Sequence, residues 1–342
     1  MTKKQYIGWG VCLWLMAACS GDEKMDSPSP QPEVTSYPIS CSVRQVNSMQ
    51  GTRALIETDA ALQAACAGTT NDAIAIWGTY TLDGSNTPTT VFADKALVYD
   101  DFVGTNDETN RISWNYADEQ YWVKDAAYTF RACYPQGVLT GSAAGLGVTD
   151  YNTLASQKDL MVAYAQADTK ATPTAMQSPV PLEMNHALAA VGFKVKSEDG
   201  SDMMLKSLAF KGLYTVGTFG YSSDAAPTVS DWINRKDIAG YEWTKGGLAF
   251  NAETQVTGFS STELAAYAED GYILVVPQEH RDPLIDLATT QREYTDVSLG
   301  NNVAYEPGKK YTYVITVSPN QLKVTLSIKA WNKRDSSYDI IF

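Results

Sequence analysis

Lys309–Trp331 reads KKYTYVITVSPNQLKVTLSIKAW, and this stretch decides the fold class. Tyr311, Tyr313, Ile315 and Val317 fall on one parity. Ser318-Pro319-Asn320 breaks the run, and Leu322, Val324, Leu326 and Ile328 make a second stripe. A period of two sends alternate side chains to opposite faces of a sheet, and β-branched and aromatic residues suit a pleated, half-buried surface. The stretch therefore reads as strand, tight turn, strand.

Earlier segments follow the same rule. AIAIWGTYTL puts Ile74, Ile76 and Gly78 on one parity. AYTFRACYP does so with Tyr128, Phe130, Ala132 and Tyr134, and Pro135 stops it. RISWNY, QYWVKD, AAVGFKVK, LKSLAFKGLY and TVGTFGY read as further strands. GYILVVPQ is almost continuously apolar, as in a strand covered on both faces. Helical signals are short: TDAALQAACAG near residues 58–68 and STELAAYAED near 261–270. Many short strands without interleaved helices give an all-β chain of packed β-sandwiches. Its 342 residues fit two such domains. TKATPTAMQSPVP interrupts the pattern with three prolines, and the boundary is placed there, giving domains over 54–178 and 179–342.

The N-terminus carries an export signal over residues 1–18. Lys3 and Lys4 precede a short apolar run, and Ala17-Ala18 supply the small residues before a cut. The run is too short to span a membrane. Met16-Ala17-Ala18-Cys19 resembles a bacterial lipobox, with methionine where leucine is usual. Cys19 is then the lipidation site, and acyl chains on it hold the chain to a membrane. SPSPQPEVTSYP, with four prolines, reads as an extended tether. A net charge of −13 disfavours nucleic acid and anionic lipid as partners. Cys41, Cys66 and Cys133 remain for an oxidising compartment, either as buried apolar residues or with Cys66 and Cys133 bridged.

Catalytic chemistry is not legible. The two histidines, His186 and His280, lie far apart, and His186 sits among apolar neighbours. HExxH, GxSxG and CxxC do not occur, and no ligand cluster calls for zinc, so no cofactor and no metal is assigned. GVLTGSAAGLGV lacks the lysine of a phosphate loop. Adjacent acids such as Asp118-Glu119 point to opposite faces of a strand, unlike the opposed carboxylates of a glycosidase. TNDETN and DGSN offer oxygen ligands without calcium-loop spacing.

Several pieces, taken in order, resemble the fimbrillin family, the subunits of type V pili: the lipobox, YTFRACYPQ, KDLMVAYA, LEMNHALAAVGFKVK, YILVVPQ and PGKKYTYVITVSPNQLKVTLSIKAWN. The resemblance implies two transthyretin-like β-sandwich domains and a non-enzymatic, structural role. It implies export as an outer-membrane lipoprotein, cleavage by an arginine-specific protease, and polymerisation with other pilus subunits by strand exchange. Arg53, in SMQGTRALIE, is the candidate cut, with Arg44 the other arginine nearby. Residues 19–53 would leave, including a first strand built on Ile39, Cys41 and Val43. The candidate donor strand lies after Gln321: either Leu322, Val324, Leu326 and Ile328, or the apolar end with Ile340 and Phe342. A surface glycan-binding lipoprotein of a nutrient-uptake system is the alternative. It would need an exposed row of aromatic side chains.

Overall fold

In the computed structural model the terminal stretch is a hairpin. Lys309–Val317 and Leu322–Ala330 pair antiparallel from Lys309↔Ala330 to Val317↔Leu322. Tyr311, Tyr313, Ile315 and Val317 are all buried, as are Val324 and Leu326, while Leu322 and Ile328 are half-buried. The Ser318 Oγ donates to Gln321 O at 3.1 Å and accepts from Gln321 N at 3.2 Å, closing the turn. The structure describes residues 32–45, 55–68, 72–99, 114–261, 263, 271–300, 303–318, 321–331 and 338–341. The candidate helix near 261–270 lies almost wholly outside them, whereas the one near 58–68 forms Asp59–Ala65 with Thr58 as its cap. The Thr58 Oγ1 accepts from Ala61 N at 2.9 Å, satisfying one of the helix's free donors.

Three large sheets make up an all-β fold. The first has seven strands in the order Cys41–Gln45, Val180–His186, Met161–Asp168, Ala126–Tyr134, Ile74–Leu82, Thr89–Tyr99, Trp114–Asn115. The second runs Thr254–Gln255, Ala189–Ser197, Lys309–Val317, Leu322–Ala330, Tyr338–Ile341, with Tyr272–Val275 also on Ala189–Ser197. The third is organised on Met203–Tyr221, which pairs with Leu284–Thr289, Trp232–Trp243, Leu248–Phe250 and Gly145–Asn152. LKSLAFKGLY and TVGTFGY are thus one 19-residue strand and not two. Gly212, at φ +89°, sits where its register with Trp232–Trp243 slips between Lys211 and Leu213. A left-handed residue lets one strand bend there without ending.

The second and third sheets face each other across one core, in which Phe193 packs on Phe210, Phe259 and Tyr313 with ring centroids 5.0–5.6 Å apart. A second core lies on one face of the first sheet, under the helix and the short pair Val34–Pro38 and Tyr121–Val123. A third core fills the other face and joins the first sheet to the third: Trp77, Cys133 and Val162 meet Phe219, Tyr221 and Trp232. This explains why Ile74, Ala75, Ile76 and Trp77 are all buried. The alternation in AIAIWG is real, but both parities have a core to enter. The same holds in Tyr272–Val275 and the residue after it, where Ile273 and Val275 enter one core and Leu274 and Val276 another.

The change from first to second sheet comes at Ala187–Leu188. The proline-rich stretch near residue 178 holds a 3-10 turn, Pro173–Gln177, and is followed by Val180–His186, which still belongs to the first sheet. All three described cysteines are buried and free, so the Cys66–Cys133 bridge left open by the sequence is not formed. Phe193→Ala is expected to cost about 3–5 kcal/mol of unfolding free energy. Urea denaturation checks this, and a loss below about 1 kcal/mol would contradict the aromatic packing described.

Candidate functional site

Ile39, Cys41 and Val43 alternate with Ser40, Ser42 and Arg44. Cys41–Gln45, hereafter the leader strand, therefore buries one side and shows the other: Cys41, Val43 and Gln45 are buried, Ser42 and Arg44 exposed. It lies at the edge of the first sheet, parallel to Val180–His186, with Cys41 opposite Val180, Val43 opposite Leu182 and Gln45 opposite Met184. Ser40 O accepts from Val180 N at 2.8 Å. Ile39 is 1% exposed, donates its N–H to Gln120 O at 2.8 Å, and accepts from the Tyr116 hydroxyl at 2.5 Å. Fully burying an Ile or Val side chain contributes about 1.5–3 kcal/mol, so this short segment closes the second core at modest total strength.

The leader strand also carries two polar anchors. Arg44 forms an ion pair with Glu183 on the neighbouring strand, with both side chains about half exposed. Gln45 donates its backbone N–H to Asp59 Oδ1 at 2.6 Å and its side-chain Nε2 to Thr58 O at 3.1 Å. Its Oε1 is buried and has no hydrogen-bond partner among the described residues, which is a costly state for an amide oxygen. Were the leader strand absent, the outer backbone edge of Val180–Met184 would lose its ladder, and the core side chains of the first sheet would meet solvent. Unpaired strand edges and unpaired buried backbone groups both invite a replacement strand.

Beyond the leader strand, a second cluster joins the chain just after Arg53 to the end of the terminal hairpin. Leu55 is buried, and Ile56 donates its N–H to Asp159 Oδ2 at 3.2 Å. Asp159 Oδ1 lies 3.0 Å from His186 Nδ1, and both side chains are buried. The His186 ring stacks on Trp331, centroid to centroid 4.1 Å and 5° from parallel. Lys310 pairs with Glu57 and lies 4.6 Å over the Tyr272 ring. His186 is the packed histidine its apolar neighbours suggest. Its partners Asp159 and Trp331 have no local sequence signal, because strand pairing brings them together from far apart.

The predicted site residues divide as follows. Cys19, Arg53 and Phe342 lie outside the described residues. Val324 and Leu326 fill the second sheet's core, Leu322 and Ile328 pack at its margin, and Ile340 is paired in register with Leu326. The leader strand and the candidate donor strand thus occupy edge regions of two different sheets.

A family model described as fimbrillin-like matches residues 52–331. The chain belongs to the fimbrillin-like family. The matched region of this fimbrillin-like chain takes in the first and third cores and the second core apart from Ile39, Cys41 and Val43, and it leaves out the leader strand. No curated protein matches the sequence. Solved structures similar to it include a cell adhesion protein from Bacteroides ovatus, 16% identical over 87% of this chain and 98% of the other, with a TM-score of 0.49. A fimbrial assembly protein from Parabacteroides distasonis is 9% identical over 90% and 100%, TM-score 0.44. The tip fimbrial protein Mfa3 from Porphyromonas gingivalis is 10% identical over 76% and 95%, TM-score 0.39.

Burial pushes the thiols of Cys41, Cys66 and Cys133 up to about 12, so at neutral pH almost none is thiolate. A chain starting after Cys19 is expected to resist a thiol reagent until it unfolds, about 100-fold slower than free cysteine. Once the leader strand is released, Cys41 alone should label quickly, as peptide mass spectrometry would report. Rapid labelling of Cys41 in the uncut chain would contradict its place in the sheet.

Proposed function

We propose that this fimbrillin-like chain is a structural pilus subunit that trades its leader strand for a strand of another subunit. One observation carries the reading: a short edge strand, Cys41–Gln45, covers a core-forming neighbour, Val180–His186, and it belongs to the segment ahead of Arg53. The chain is made as a lipoprotein, held at the outer membrane by lipid on Cys19. An arginine-specific protease cuts after Arg53 and removes residues 19–53, the membrane anchor and the leader strand together. The bared edge of Val180–His186 then takes a C-terminal strand from a second subunit, and repetition builds an extracellular pilus that serves adhesion. The protein catalyses nothing and needs no cofactor. The two tandem β-sandwich domains act as one rigid link, because the third core ties the first sheet to the third.

The test uses precursor beginning after Cys19 and a trypsin-like protease. N-terminal sequencing is expected to show Ala54, and the cut chain is expected to form oligomers in size-exclusion chromatography where the uncut chain stays monomeric. Cut protein that remains monomeric at high concentration would contradict the reading.

A further inference from the structure

Leader and donor can be compared residue by residue. The leader reads Ile39-Ser40-Cys41-Ser42-Val43-Arg44-Gln45, and the terminal hairpin contains Val324-Thr325-Leu326-Ser327-Ile328-Lys329-Ala330. Apolar residues occupy the same three positions, hydroxyl residues stand between them, and a cation follows. Resting on the strand-exchange reading, we infer that residues 324–330 of a second copy replace the leader strand in its own register, with Lys329 taking the place of Arg44 opposite Glu183.

Three observations favour this segment and this register. First, the fit improves. Leu326 and Ile328 bring more apolar surface than Cys41 and Val43, against one methylene lost from Ile39 to Val324. Ala330 replaces Gln45 and removes its buried, unpartnered Oε1. Thr58 O keeps its bond from Leu62 N at 3.0 Å, and a donor backbone N–H can still reach Asp59 Oδ1. Second, Lys329 is badly placed at home. In its own sheet it stands directly opposite Lys310, a like charge, and it has no ion pair among the described residues. Like charges directly opposite each other destabilise a strand pair. In the groove it would face a carboxylate. Third, the apolar tail is a poorer match. If Tyr338, Ile340 and Phe342 took the inward positions of Cys41, Val43 and Gln45, Ile341 would fall opposite Glu183 and leave it without a cation.

Glu183 and Lys329 would form an exposed pair, which adds little strength. Its effect is selection. A wrong register or a strand without the cation leaves Glu183 alone, and an acid there meets repulsion. Withdrawing 324–330 breaks its ladders with Lys309–Val317 and Tyr338–Ile341 and uncovers Val324 and Leu326 in their own core; the groove returns one ladder and reburies three apolar side chains.

Charge exchange between copies tests the inference. Glu183→Lys and Lys329→Glu chains, each cut after Arg53, are expected to assemble at least tenfold more slowly than the unaltered chain. Mixed in equal amounts they are expected to assemble at near its rate, because each groove then meets a donor of opposite charge, giving alternating polymers. A zero-length carbodiimide is expected to couple Lys329 to Glu183 between copies in unaltered polymer. The uncut chain, where Glu183 faces an arginine, should give no such product. Single variants that assemble as fast as the unaltered chain, or coupling of Glu183 to a different lysine, would overturn this register while leaving strand exchange standing. An unaltered cut chain that never assembles would overturn both. The coupling experiment needs no substitution, so misfolding of a variant cannot mask the answer.

Discussion

The backbone edge of Val180–His186 is the constraint on which the rest depends. This strand is apolar enough to sit inside the first sheet: Val180, Leu182 and Met184 all enter the core of that sheet. Yet its outer neighbour is a five-residue segment held by a few side chains and two polar anchors. A β-sheet cannot leave such an edge bare without exposing both a row of peptide groups and the apolar surface beneath. Something must always lie there. What lies there in the intact chain, Cys41–Gln45, comes from the far side of Arg53 from the body.

Loss of the leader strand would leave most of the body's packing in place. Three cores share the work, and the leader strand contributes to only one of them. The residues just past Arg53 are fastened independently. Leu55 joins the third core, Ile56 bonds to Asp159, and Glu57 pairs with Lys310. A cut ahead of them would therefore leave the new chain start tied down. The same cluster holds Trp331 against His186, at the end of the strand that carries the inferred donor segment. Under the proposed exchange, the place where a strand would be lost and the place where a strand would be lent meet at one group of buried side chains. His186 belongs to both, as the last residue of Val180–His186 and the stacking partner of Trp331 at the end of the terminal hairpin.

Much of this was legible in the sequence. Period-two stripes in Lys309–Trp331 gave both strands and their turn, because one parity enters a core and the other does not. The continuous run in Tyr272–Val275 correctly signalled two covered faces. Ile39, Cys41 and Val43 signalled an inward-facing strand. Other features were hidden for physical reasons. Arg131, off the parity of Phe130 and Ala132, is buried because three backbone carbonyls, Ala143 O, Ser222 O and Ser223 O, accept its N–H groups, and the rings of Tyr164 and Tyr221 flank it. Those partners lie up to 92 residues away, and only strand pairing reveals them. The hairpin Thr140–Ser142 and Gly145–Asn152 crosses from the first half of the chain into the third sheet for the same reason. Its glycine-rich sequence reads locally as a loop. The proline-rich stretch marks a turn in the path, but prolines report local geometry, not which sheet the next strand will join.

Hydrogen–deuterium exchange over Val180–Met184 tests the central claim most directly, followed in the uncut chain, the chain cut after Arg53 and the assembled polymer. The account predicts slow exchange while the leader strand is present, fast exchange in the cut monomer, and slow exchange again on assembly. Amides that stay protected in the cut monomer would mean that the edge was never bared, and the account would be wrong.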